Sequence, residues 1–305
     1  MDGNETNGGR LPKAFLTGLR LLAVLAATLL LLEIGARLLL PQYASFMGLF
    51  TPVDDPRGYV LTPETRLEFS GLKEPLPEPV TWRINSQGFR EPGVVSRSPT
   101  PGTRRVGTFG DSEVFGWAVA GPRAFQSVWE DATPDIEVLN FGVPGYNAVN
   151  TAEHLTRMHG RFRFHSAVYV FNTNDLEPDL PGIAFSWPAR SPSCLARQVV
   201  AMLIVQKQKQ QARDRWSEAN RNRAARAMRR MAGFCRQQGI ELAVVVLDDK
   251  AREYVEGVYG DGDVTVLDAS EVIAGHRRLD GHLPPEAHAA LAGFLAERLD
   301  GLSGG

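Results

Sequence analysis

Apolar residues along this chain follow three different rhythms. From residue 13 to 40 they form a nearly unbroken run, KAFLTGLRLLAVLAATLLLLEIGARLLL. Its uncharged core, residues 21–32, is short for a membrane span. Extended to Leu40 it gives about 20 residues, or ~30 Å of helix, which matches a bilayer core. Residues 41–100 then lose periodicity and gain proline, at positions 52, 56, 63, 75, 77, 79, 92 and 99. This stretch reads as a stalk with extended pieces laid on the following domain. Within it, residues 80–89 alternate well enough for a strand ended by Gly88.

From residue 104 onward, short apolar runs alternate with helical patterns. Strands are expected at 105–109, 136–141, 166–171, 241–247 and 264–267, and helices at 124–131, 148–159 and 285–299. The run SAVYVF at 166–171 is apolar along most of its length, as a buried parallel strand should be. Between 192 and 238 the pattern is helical and basic. Met228, Met231, Ala232 and Cys235 fall at helical spacing and should share one buried face. The alternation predicts a three-layer α/β sandwich on a parallel sheet. In such sheets the site forms at the carboxyl ends of strands.

Charge gives the apolar N-terminal run a direction. Arg10, Lys13 and Arg20 precede or open it, whereas Arg37 is the basic residue near its far end. That bias puts the N-terminus in the cytoplasm and the rest outside. Glu33 and Arg37, four apart, can pair near the outer end. A cleaved signal peptide competes with an uncleaved anchor, but no clean small-x-small site precedes Pro41. The expected organisation is a cytoplasmic tail at 1–12, a transmembrane signal anchor at 13–40, a proline-rich extension at 41–100 and an α/β domain at 101–302. The catalytic domain is expected on the periplasmic or extracellular side.

The whole chain of 305 residues has a formal net charge of −2, which gives no case for nucleic acid as the main partner. Cys194 and Cys235 show no zinc-like spacing; they are buried thiols, or a pair if the domain is exported. Lys207, Lys209, Arg213, Arg215, Arg221, Arg223, Arg226, Arg229 and Arg230 outnumber Asp214 and Glu218 in the basic helical region. They form either a solvated helix face or a surface for lipid headgroups or acidic glycan.

Candidate chemistry begins at GDSEVFG, residues 110–116, directly after the apolar run at 106–109. A serine at the tip of a strand is a common way to present a nucleophile, so Ser112 is the candidate. His282, in the loop-like DGHLPP segment before the last helix, is the candidate base. Asp280 lies two residues away. In an extended segment its carboxylate would share a side with the imidazole and orient it, as in a Ser-His-Asp triad. Gly145, in the turn VPGYN, lets a backbone N–H approach a ligand closely. Asn174 in NTND can offer a side-chain N–H to an oxyanion. Asp175 reads as a loop-holding residue. His276, Asp280, His282 and His288 match no familiar metal-ligand pattern.

Together, the four segments GDSEVFG, NFGVPGYN, NTND and DGHLPPEAH resemble the blocks of the SGNH (GDSL-type) hydrolase family, in its membrane-anchored bacterial form. The resemblance covers about residues 104–299. It implies a flavodoxin-like five-stranded parallel sheet and an acyl-serine intermediate, with neither a metal nor an organic cofactor. It places Ser112, His282 and Asp280 as the catalytic set. The oxyanion hole would comprise the Ser112 N–H, Gly145 and Asn174. The segment NSQGFR at 85–90 is similar to one found ahead of the first block in anchored members. Three positions depart from the family pattern: Asn172 replaces a glycine, Val114 replaces a threonine, and Gly281 alone separates Asp280 from His282. The expected activity is O-acyl ester hydrolysis. Alternatives are O-acetyl transfer to an envelope polysaccharide and non-catalytic glycan binding on the same fold. The expected partners are an acyl-ester substrate, from an envelope glycan or lipid, and the membrane.

Overall fold

The structure is a computed structural model that describes residues 12–39, 46–71, 74–91, 93–179, 193–260, 262 and 264–299. Helix α1 spans Lys13–Leu39. It is long and apolar enough to cross a membrane, with mean hydropathy 2.2 over its best window. Arg37 Nε donates to Glu33 Oε1 at 2.7 Å, the pair expected from their spacing.

Two small antiparallel hairpins follow. Strands β1 (Phe50–Pro52) and β2 (Tyr59–Leu61) form one; β3 (Arg66–Phe69) and β4 (Val80–Arg83) form the other. Strand β4 stops well before residue 89 because Asn85 turns the chain. Its Oδ1 accepts from the N–H groups of Gln87 and Phe89.

The main unit then runs β5 (Arg104–Phe109), α2 (Ser112–Phe115), α3 (Phe125–Ala132), β6 (Ile136–Asn140) and α4 (Ala148–Arg161). It continues with β7 (Ser166–Phe171), α5 (Cys194–Arg213), α6 (Glu218–Gln238) and β8 (Glu241–Val246). Last come α7 (Asp249–Tyr259), β9 (Thr265–Asp268), α8 (Ser270–Ile273) and α9 (Pro285–Leu299). The five parallel strands lie in the order β6-β5-β7-β8-β9, a doubly wound, flavodoxin-like sheet.

Alternating side chains divide the core in two. Ala167, Tyr169, Phe171, Leu242, Val244 and Val246 face α4, α6 and α7. Val168, Val170, Ala243 and Val245 face α3 and α9. Met228, Met231, Ala232 and Cys235 are all buried on one face of α6. Cys194 and Cys235 are separate, buried thiols. Helix α7, not among the helices expected from the sequence, buries Ala251, Val255 and Val258 at helical spacing in an otherwise largely polar sequence.

Much of the proline-rich stretch is folded against this unit. Leu49, Phe50, Tyr59, Leu61, Phe69, Val80, Trp82 and Ile84 form a third core with Phe115, Trp117, Val143 and Tyr146. The Tyr59 hydroxyl donates to the Pro144 carbonyl at 2.9 Å, and the Tyr146 hydroxyl donates back to the Tyr59 carbonyl at 2.5 Å. This core lies directly behind α2, the short helix that starts at the candidate nucleophile.

Candidate active site

Strand β5 is flanked by β6 on one side and β7 on the other, so the connections diverge at its carboxyl end. Ser112 opens α2 at this switch point. The approach to it is tight. Gly110 has φ 151°, and a Cβ there would lie 2.7 Å from Val114 Cγ2 and 2.9 Å from the Val170 carbonyl oxygen. Gly142, after β6, sits so close to α2 that a Cβ would lie 2.2 Å from the Phe115 nitrogen. Val114 is fully buried in this contact.

The base arrives on a two-residue hairpin. Leu279 and His282 exchange both backbone hydrogen bonds at 2.9 Å, with Asp280 at φ 52° and Gly281 at φ 84°. Two left-handed residues in succession, Asp then Gly, are the signature of a type I′ turn. The turn delivers His282 Nε2 to 2.9 Å from Ser112 Oγ. The imidazole also packs beside Trp117, with ring centroids 5.5 Å apart.

The expectation for the Asp280 carboxylate is corrected here. His282 Nδ1 lies 3.0 Å from the main-chain carbonyl of Asp280. The Asp280 carboxylate instead accepts from Trp117 Nε1 at 2.9 Å and from the Glu74 N–H at 3.1 Å. Glu74 Oε1 in turn accepts the Asp280 N–H at 2.9 Å. The physical reason is the backbone: residues i and i+2 share a side only in an extended chain, and Asp280 is left-handed. A carbonyl acceptor on Nδ1–H still fixes the tautomer that leaves Nε2 free to take a proton from serine.

Asn174 lies in a single turn, Thr173–Leu176, after β7. Its Nδ2 donates to Asp111 Oδ2 at 2.7 Å, while its Oδ1 is buried without a partner. One of its two amide hydrogens thus remains for a ligand. Burial pushes the Asp111 carboxyl up from its ordinary range, and the neighbouring Glu113 adds to the effect. Asp175 Oδ1 accepts from the Tyr169 hydroxyl at 2.8 Å and Oδ2 from the Asn172 N–H at 2.7 Å, so Asp175 ties the loop to the strand. Asn172 has φ −118° and caps the turn, so this loop does not require the glycine of the family pattern.

Ser112, Glu113, Asn172, Thr173, Asn174, Arg215, Arg278, Gly281 and His282 line one open cavity of about 280 Å³. Arg215 reaches it from the basic helical region, donating to Thr173 Oγ1 at 2.9 Å and pairing with Glu177. Gly145 is absent from this lining. It sits at φ 80° on an exposed turn closed by the Tyr146 N–H to the Val143 carbonyl, and the Val143 N–H is tied to the Gly110 carbonyl. His288 is buried in α9, where its Nδ1 accepts the Phe125 N–H at 3.2 Å.

Sequence reasoning missed four supports. Arg90 is buried, and its guanidinium donates to the carbonyls of Phe115 and Gly116 at 2.5 Å and of Val119 at 2.6 Å. It thereby satisfies the open carbonyls at the end of α2. Trp117 and Glu74 hold the hairpin, as described above. Glu113 is buried and bonded to Arg278 and to the Leu283 N–H. Arg90 closes the NSQGFR segment, but the partners of all four are 25 or more residues away, so no local pattern states what they hold.

No protein-family model matches the chain, and no curated protein matches it. Solved structures with a similar fold do exist. The carbohydrate acetylesterase family member from Sinorhizobium meliloti is 16% identical, with a TM-score of 0.41, over 66% of this chain and 100% of that one. The native aryl esterase of M. smegmatis is 15% identical, with a TM-score of 0.46, over 66% and 100% of the two chains. The psychrotrophic esterase EstA from Pseudoalteromonas is 7% identical, with a TM-score of 0.45, over 65% and 98%.

Proposed function

We propose that this chain is a serine esterase of the SGNH type, cleaving small O-acyl esters through an acyl-serine intermediate. The observation that carries the reading is the 2.9 Å contact between Ser112 Oγ and His282 Nε2 at the carboxyl end of β5. Ser112 Oγ attacks the ester carbonyl while Nε2 takes its proton. The imidazolium is held by the Asp280 carbonyl on Nδ1–H. It then protonates the leaving alcohol as the C–O bond breaks. Water, deprotonated by the same nitrogen, attacks the acyl-serine, and the proton returns to Ser112 as the carboxylic acid leaves.

The donors assigned to the oxyanion are the Ser112 N–H and the free hydrogen of Asn174 Nδ2. The Gly145 N–H is the third, presented by the turn tied to Gly110. Among the described residues, none of the nine that line the cavity is aliphatic, which suits a short acyl group on a hydrophilic alcohol better than a long-chain lipid. The same lining suits a sugar hydroxyl as acyl acceptor, so transfer to an envelope glycan is the second reading. Helix α1 would anchor the enzyme with its active site outside the cytoplasm, as the basic residues before the helix favour.

The test uses the full chain in detergent. A fluorophosphonate should label Ser112, located by peptide mass spectrometry, and His282→Ala should abolish the label. Hydrolysis of p-nitrophenyl acetate should fall by at least ~10³-fold in Ser112→Ala. Unchanged turnover in that variant would sink the proposal. Acetylated oligosaccharide forming faster than free acetate would select the transfer reading.

A further inference from the structure

Asp111, Ser112 and Glu113 are consecutive, yet the two carboxylates on either side of the nucleophile serve opposite walls of the site. Asp111 reaches Asn174, on the oxyanion side. Glu113 reaches the loop that carries the base. Its Oε1 accepts from Arg278 Nη1 at 2.5 Å, and its Oε2 accepts from the Leu283 N–H at 2.9 Å. These two partners bracket the hairpin from Leu279 to His282.

We propose that Glu113 is a positioning residue that clamps the His282 hairpin at both ends to the helix bearing Ser112. The proposal rests on the serine-esterase reading above. Four observations support it. First, the hairpin comes from a segment 170 residues away from the nucleophile, so Ser112 and His282 meet only if something fixes their separation. Second, Glu113 shares a helical turn with Ser112, so any group it holds is referenced directly to the nucleophile. Third, Glu113 is 3% exposed, and Leu283, whose N–H it satisfies, is 2% exposed. Fourth, an apolar residue of similar size would pack at this buried position with a smaller desolvation penalty than a carboxylate. A buried charge that bonds both flanks of the base is therefore better explained by placement than by stability. A shift of about 1 Å in a catalytic group is enough to cost on the order of 100-fold in rate.

The experiment compares Glu113→Ala, Glu113→Gln and Arg278→Met with wild type in the full chain. Three quantities are read: kcat and KM on p-nitrophenyl acetate, the rate constant of fluorophosphonate labelling at Ser112, and the fraction of molecules that label. Glu113→Ala is expected to lower kcat and the labelling rate by about 100-fold, with KM changed less than about 3-fold. Glu113→Gln keeps an acceptor for the Leu283 N–H and should recover part of the loss, to about 10-fold below wild type. Arg278→Met leaves the Leu283 bond intact and should also fall by about 10-fold. A merely structural role would reduce the labelled fraction and leave the rate of each competent molecule unchanged. Wild-type rates in Glu113→Gln and Arg278→Met would therefore overturn the proposal, even if Glu113→Ala fails to fold. Failure of wild type itself to label Ser112 would overturn the esterase reading, and this one with it.

Discussion

The parallel sheet and the N-terminal segment from Leu49 to Arg90 both converge on helix α2, and they hold it by different means. The sheet acts through repetition. Strand β5 is hydrogen-bonded along its length to β6 and β7, and its neighbours bury alternate side chains in two cores. No single residue there is indispensable, because each bond is one of many like it. The segment acts through a few long-range contacts. Arg90 gathers three carbonyls at the end of α2, Trp82 packs against Trp117 and donates its Nε1–H to the Trp117 carbonyl, and Glu74 grips Asp280. Sheet substitutions should therefore cost stability in increments, whereas substitutions in the segment should reach the chemistry as well.

The largest expected effect is Arg90→Met. Burial pushes the Arg90 guanidinium down to about 10, yet it stays charged at neutral pH and serves three carbonyls. Removing it takes the guanidinium donor from the Val119 carbonyl and leaves the Phe115 and Gly116 carbonyls only long bonds, from Asn140 Nδ2 at 3.5 Å and the Val119 N–H at 3.3 Å, a cost of about 3–5 kcal/mol. Urea denaturation should show it, and Arg90→Lys should rescue little, because a compact ammonium lacks the planar fork. A loss below about 1 kcal/mol would remove the strongest support for the concentrated arrangement.

A matched pair of core truncations sharpens the contrast. Trp82→Ala should cost about 3–4 kcal/mol and Val244→Ala, in the sheet, about 2 kcal/mol. Trp82 lies 4.5 Å from Trp117 between ring centroids, and Trp117 lies 5.5 Å from the His282 ring. Turnover per folded molecule, normalised by active-site titration, should fall several-fold in Trp82→Ala and stay at the wild-type value in Val244→Ala. Equal turnover in the two variants would erase the distinction.

The same contrast decides what could be read before the structure. The strand 166–171 and the helix 285–299 appear at the boundaries their periodicity predicts, because sheet and helix patterns are local. Ser112 and His282 were legible for the same reason: each sits in a short, compositionally distinctive turn. Trp117 and Glu74 were not, since they meet Asp280 across 163 and 206 residues. The prolines of the segment suggested irregularity and hid the core that Tyr59, Phe69 and Trp82 build with α2. The Asp280 carboxylate was misplaced although its Asp-Gly pair is a hairpin signal.

Two carboxylates, Glu91 beside the segment and Glu137 on the sheet, should respond to pH with opposite sign. Glu91, the residue after the segment, is pushed up from 4.5 to about 7 by burial, while its Oε1 accepts the Asn140 N–H. Its folded value exceeds its unfolded one, so the folded state holds the proton longer. Stability from this group is highest below 4.5 and falls as pH rises to about 7. The expected loss is on the order of 3 kcal/mol, and Glu91→Gln should flatten it. Glu137, on β6, behaves in reverse. Burial alone would raise it, but hydrogen bonds from Thr100 and Arg105 outweigh burial and hold it at about 2. Its contribution is present above 4.5 and is lost as pH falls toward about 2. Urea titrations of wild type and Glu91→Gln between pH 2 and 8 would separate the two. A slope that survives in Glu91→Gln would assign it to another group.

The smallest effect expected is the most informative about the site. In a triad whose carboxylate bonds the imidazole, replacing that aspartate by asparagine presents the wrong donor to Nδ1 and costs about 10⁴-fold in kcat. Here Nδ1 faces the Asp280 main-chain carbonyl, which the substitution leaves in place. Asparagine also tolerates the left-handed conformation at φ 52°. Its carboxamide oxygen can still accept from Trp117 Nε1 or the Glu74 N–H, so part of the hairpin's support survives. Asp280→Asn should therefore lower kcat by less than about 10-fold, with KM unchanged. The remaining loss reflects a neutral acceptor replacing a charged one beneath the imidazolium. A loss near 10⁴-fold would mean that the carboxylate swings onto Nδ1 when substrate binds.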